Sequence, residues 1–261
     1  MCSPSATLAV WVRSWLTGDS SPDDVIDALH EWAPIHVVRA ADPAIAGRTG
    51  LSWPEPESAG ATTLLKAIRD AATPPDSTIR LVLPAPGDVR GLPIGTDFAG
   101  AAIEAGEGVI IGTPGHNGSG LVPHLTGAAM LWTVHGVELS PDTGERQGLG
   151  EAEYAMREAV RDAAETLGVL QRVSVGGGGD ARRSIESELA DLARHRYPPE
   201  LSARAQRVLD SADRVAAILT VAEREPATAS VSASGAAASE DLLRPLWSAV
   251  RSARLAAYAS T

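Results

Sequence analysis

A chain of 261 residues is long enough for one large domain or two small ones and for a sizeable core. Its 44% hydrophobic and 21% charged content argues against wholesale disorder. A net charge of −11 argues against nucleic-acid and membrane-surface partners, which are held by clustered cations.

The charge is unevenly placed. Residues 1–179 carry 22 acidic and 11 basic side chains, whereas residues 180–261 carry 11 of each. Lys66 is the only lysine, and aromatics make up 4% of the chain, so small aliphatic side chains must build most of the core. Cys2 is the only cysteine, which rules out a disulfide within one chain and suits a reducing compartment.

Ala6 to Leu16 is apolar but interrupted by Arg13 and followed by Asp19, Asp23 and Asp24. It reads as an N-terminal helix, too short and too broken for a signal or a membrane span, and the protein is expected to be soluble and cytoplasmic. Ser21-Pro22-Asp23-Asp24 starts a second helix with a serine cap, an early proline and two acids at the positive end of the dipole. Ile35 to Val38 then reads as a strand, and Leu64, Leu65 and Ile68 mark a helix.

Ile79–Leu83 and Val109–Ile111 are short apolar runs bounded by Gly and Pro, as expected of interior strands. A short helix over Asp97–Ala105 between them gives a β-α-β unit. Met130–Leu139 is the longest strand expected, a helix follows over about 150–167, and a strand over Val169–Val175 closes an α/β (or α+β) domain with a partly parallel sheet. The glycine run Gly176–Gly179 marks the junction, giving an α/β domain over 1–175 and a helical region over 176–261.

The helical region should be a bundle or hairpin with helices near 181–196, 200–223 and 240–258. Pro198-Pro199 separates the first two, and Pro226–Ser239 reads as an Ala/Ser-rich link. Leu201, Ala205, Val208, Ala212, Val215, Leu219 and Ala222 step by four and three residues and form one apolar seam. Pro245 either starts the last helix or kinks it.

Two places stand out for function. If the strands at 79–83 and 109–111 run parallel, the loops after them emerge at one carboxyl edge, where open α/β sheets bind ligands. Asp88, Arg90, Thr113, His116, Asn117 and Ser119 would then converge on a polar or anionic small molecule. No named signature fits: Gly120 is followed by Leu121-Val122 where a P-loop needs Lys and Ser or Thr. Ser119 lacks the flanking glycines of a nucleophile elbow, and Gly115, Gly118 and Gly120 are spaced wrongly for a dinucleotide fingerprint. The plainer alternative is a glycine-rich surface turn. His116, His124 and His135, with Glu138, lack metal-ligand spacing, so no metal and no cofactor is expected.

The second place is the seam of Leu201, Val208, Val215, Leu219 and Ala222, which would serve self-association or a protein partner unless it packs within the chain. Two readings follow. One is a non-enzymatic interaction or regulatory protein associating through its C-terminal helices. The other is a small-molecule binder or enzyme using loops 84–91 and 112–120.

Overall fold

The computed structural model describes residues 3–56, 60–141, 147–170, 178–224 and 233–260, with side chains at all of these except 162–170, 178–181 and 233–242. It has the α/β sheet part and the helical C-terminal part expected. Contacts divide the chain into two compact units, Cys2–Arg146 with His195–Glu200, and Gln147–Arg194 with Leu201–Ser260.

In the first unit α1 (Pro4–Thr17) begins at Ser3, whose side chain accepts from the Ala6 amide, and ends at Gly18 in the left-handed region. Helix α2 (Pro22–His30) has the full capping box of Ser21 and Asp24. Strand β1 (Ile35–Ala40) leads into α3 (Pro43–Thr49), which Asp42 caps, and then α4 (Gly60–Ala71). Next come β2 (Thr78–Val82), α5 (Asp97–Ala105), β3 (Gly108–Gly112), β4 (Asn117–Thr126) and β5 (Ala129–Glu138).

The sheet order is β1-β5-β4-β3-β2. Only β1 and β5 pair in parallel; the other three pairings are antiparallel. The expected β-α-β unit is therefore corrected. Helix α5 does join β2 to β3, but Thr78 pairs with Gly112 and Val82 with Gly108, so the chain doubles back. The loop expected over 112–120 is instead a turn that leads into a ten-residue strand from Asn117.

Helix α5 covers one face of the sheet. Phe98, fully buried, packs there with Ile110, Val122, Val137 and Leu139. A side chain of this size contributes about 1.5–3 kcal/mol when buried. The sheet makes room for it by omission: a Cβ on Gly120 would lie 2.3 Å from Phe98 Cδ2, and one on Gly108 3.1 Å from its Cζ. Trp132 and Val134 face the other side, where α2 sits against His36 of β1 and α1 and α4 pack on α2.

The helical unit consists of α6 (Leu149–Leu170), α7 (Gly178–Leu192), α8 (Ala203–Arg224) and α9 (Ala233–Ala259). Helix α6 groups with this unit. The strand expected from Val169 is corrected at its start, since Val169 and Leu170 are helical; residues 171–175, like Gly176 and Gly177, lie outside those described. The last helix begins at Ala233 and runs through Pro245. Between α8 and α9 lies a buried ion pair, Arg254 with Asp213. Burial holds the Arg254 guanidinium down at about 10, so its charge survives at neutral pH.

Candidate functional site

The antiparallel β2–β3 pairing puts the two glycine-rich loops at opposite ends of these strands. Asp88 and Arg90 follow the end of β2, beside the start of β3 at Gly108. Thr113, His116, Asn117 and Ser119 follow the end of β3, beside the start of β2 at Thr78. The convergence expected from parallel strands does not occur.

Each residue has a local role. Asp88 closes a tight turn with Ala85 through two backbone hydrogen bonds, and its carboxylate receives Arg90 Nε at 2.9 Å and Nη2 at 2.6 Å. Thr113 and Ser77 hydroxyls lie 3.4 Å apart. His116 is exposed, with Nδ1 3.2 Å from the Pro114 carbonyl. Asn117 is exposed opposite Glu138 in the β4–β5 register, and Ser119 is half-buried opposite Gly136.

The glycines are accounted for by packing. A Cβ on Gly118 would come within 2.5 Å of Leu139 Cδ1 and of the Ile111 carbonyl. With Gly120 under Phe98, this segment is glycine-rich because side chains and backbone press on it, which anion binding does not require.

The histidines also separate. His124 is exposed opposite Leu131, whereas His135 is buried opposite Gly120. Among the described residues no three of His, Cys, Asp and Glu come together as metal ligands. The His135 ring meets Phe98 edge-on at 6.1 Å, and neither nitrogen has a hydrogen-bond partner. Burial pushes its proton affinity down, against an upward pull from Asp97 and Asp42.

His36 differs. Trp132 Nε1 donates to its Nδ1 at 3.0 Å, and its Nε2 lies 3.0 Å from the Leu29 carbonyl. Those two contacts require the neutral ring with its proton on Nε2. Burial is again the main cause of its lowered proton affinity.

Leu201, just before α8, is buried; in α8 itself Val208 and Leu219 are buried, Val215 is half-buried and Ala222 is exposed. Leu209, Ala216 and Val221, outside the expected seam, are buried as well. The helix is covered by α6, α7 and α9, so the seam is used inside its own unit. A shallow cleft of about 290 Å³ between α7 and α8 is lined by Ser184, Ser187, Glu188, Val221 and Arg224. The Glu188–Arg224 ion pair bridges it.

The feature that sequence reasoning missed is a strap. Residues His195–Glu200, between α7 and α8, group with the first unit. His195 stacks on Trp32 with ring centroids 3.6 Å apart and planes 8° from parallel. Trp11 Nε1 donates to the Arg196 carbonyl at 3.0 Å, and Ser14 Oγ donates to Glu200 Oε2 at 3.0 Å. Pro198 is buried. In the sequence, Pro198-Pro199 signals only a helix stop.

Residues 5–147 match the description of the Rv1486c-like protein, N-terminal domain, and residues 150–255 that of the Rv1486c-like protein, C-terminal domain. The chain belongs to the Rv1486c-like family. The break between the two Rv1486c-like domains falls where contacts divide the chain, near Gln147. Uncharacterized protein Rv1486c of Mycobacterium tuberculosis strain H37Rv is 41% identical over 282 residues, covering 98% of this chain and 96% of the relative. Uncharacterized protein ML1804 of Mycobacterium leprae is 39% identical over 289 residues, with the same shares covered. No solved structure matches the chain. No helix among the described residues is long and apolar enough to cross a membrane.

Proposed function

We propose that this Rv1486c-like chain is a non-enzymatic interaction protein, acting by holding a protein partner in a reducing, cytoplasmic compartment. The observation that carries this reading is the antiparallel register of β2 and β3, which takes Asp88 and Arg90 away from Thr113, His116, Asn117 and Ser119. General acid–base or anion-binding chemistry needs its groups within hydrogen-bond reach of one reacting or bound species. Here the charged pair is satisfied within its own turn, and the glycines serve Phe98 and Leu139.

The expected association surface on α8 is given up for a different one. Val208 and Leu219 of α8 are spent on the helical unit's own packing, and Leu201 just before it is buried as well. The aromatic surface made by Trp11 of α1 and Trp32, in the turn after α2, is the better candidate for a partner.

The test compares the full chain with an Arg90→Ala/His116→Ala variant in a soluble extract of its own host. Both should retain one and the same protein partner in reciprocal purification, and neither should consume a metabolite detectable by mass spectrometry. A metabolite consumed by the natural chain and spared by the variant overturns the reading. So does the lack of any reciprocally purified partner.

A further inference from the structure

The strap has the composition of a recognition peptide, His195-Arg196-Tyr197-Pro198-Pro199-Glu200. Residues 196–198 adopt neither helix nor strand. Proline fixes its own φ near −65° and biases the residue before it to extended backbone, so Tyr197 and Pro198 are held open by covalent geometry. Such a segment loses little entropy on docking.

The surface beneath meets three of its groups, the His195 ring, the Arg196 carbonyl and the Glu200 carboxylate. Trp11 supplies an indole N–H to a strap carbonyl, Trp32 a flat ring face, and Ser14 a hydroxyl to the acidic end. Trp32 is itself fixed, since its Nε1 donates to Thr7 Oγ1 at 2.9 Å. Proline-rich segments are commonly recognised by surfaces that present aromatic rings and an indole N–H.

We propose that Trp11, Ser14 and Trp32 form a recognition site for an aromatic-Pro-Pro-acidic segment of a partner protein, occupied in cis by residues 195–200. This rests on the interaction reading above and names its site and partner class. The strap holds the groove closed by proximity: a tethered ligand acts at an effective concentration on the order of mM. A partner must outcompete it, and its apparent affinity falls by the fraction of chains whose groove is open. Loosening the strap therefore tightens binding in trans, whereas damaging the groove abolishes it.

The probe is a fluorescein-labelled peptide copying residues 191–203, titrated by anisotropy into the full chain and into a His195→Ala/Pro198→Ala variant. The variant should bind at least about tenfold more tightly than the natural chain. Trp11→Phe, which keeps the ring and removes the N–H, should undo that gain, and a peptide with both prolines replaced by alanine should not bind. Equal binding to both chains, binding indifferent to Trp11→Phe, or no binding to the strap variant overturns the proposal.

Circular dichroism checks the fold, and Glu200→Gln serves as a milder loosening. If every strap variant is unfolded at 25 °C, the strap is a fixed part of the fold and the proposal fails. A peptide-sensitive dimer of the variant in sedimentation would make a second copy the occupant and overturn the partner assignment. A partner that still co-purifies with Trp11→Phe would remove this site and leave the interaction reading standing.

Discussion

Trp132 donates its indole N–H to Nδ1 of His36, a fully buried tryptophan tied to a histidine that is 2% exposed. Replacing His36 by Leu leaves that N–H without an acceptor in the core. The expected cost is about 1–3 kcal/mol, measurable by urea denaturation. His135→Leu should be neutral or stabilising in the same assay, because both His135 nitrogens already lack partners and the desolvated ring is replaced by a hydrocarbon. Two buried histidines on opposite faces of one sheet should thus respond in opposite senses.

The same two residues set a pH dependence. Both hold their proton less well in the folded chain than an ordinary histidine does. The unfolded chain therefore binds more protons as pH falls, and stability rises with pH. Their contribution should be complete above about pH 6.5 and decline below it. Thermal unfolding across pH 5–8 should show this slope, and His36→Gln/His135→Leu should flatten it. An unchanged slope in the double variant would contradict the assignment.

The close seating of Phe98 gives a paired substitution. Gly120→Ala drives a methyl to within 2.3 Å of the Phe98 ring and should destabilise by about 1–3 kcal/mol. Gly100→Ala, in the exposed part of α5 with nothing within 4 Å, should stabilise by roughly 0.5–1 kcal/mol. Gly120→Ala/Phe98→Leu should recover part of the loss if the ring is the obstacle.

In the helical unit, Arg254→Met removes a charge partner of the Asp213 carboxylate in a largely buried setting. Losing one member of such a pair costs about 3–5 kcal/mol. Asp213→Leu added to Arg254→Met should restore much of that, since a hydrophobic replacement of both partners is often neutral. A full double-mutant cycle by chemical denaturation gives the coupling directly.

Much of this fold was legible in the sequence. Val109–Ile111 and Met130–Leu139 announce themselves as apolar runs, and Ser21-Pro22-Asp23-Asp24 as a helix start, because these signals are local. Strand β4 was hidden because Asn117-Gly118-Ser119-Gly120 has turn composition, and its glycines answer to Phe98 and Leu139, which lie elsewhere in the sequence. Helix α3 was missed because it is only seven residues long and contains Gly47. The direction of β2 against β3 is a nonlocal choice, and the candidate pocket depended on it. On α8, the seven-residue ladder found one side of a helix that three others cover, and so left out Leu209, Ala216 and Val221. The strap was invisible for the same kind of reason: Trp11 and Arg196 are 185 residues apart, and nothing in Pro198-Pro199 says which surface it will meet.

Whether the strap leaves its groove when a competitor arrives can be read at single segments. Native-state hydrogen exchange on the full chain, with and without excess peptide of residues 191–203, follows the amides of 195–200 and of α1 separately. The expected result is faster exchange at Arg196, Tyr197 and Glu200 when peptide is present, with α1 still protected, because the peptide takes the strap's place on Trp11 and Trp32. Unchanged exchange at those three amides under saturating peptide would contradict a groove that opens to a partner.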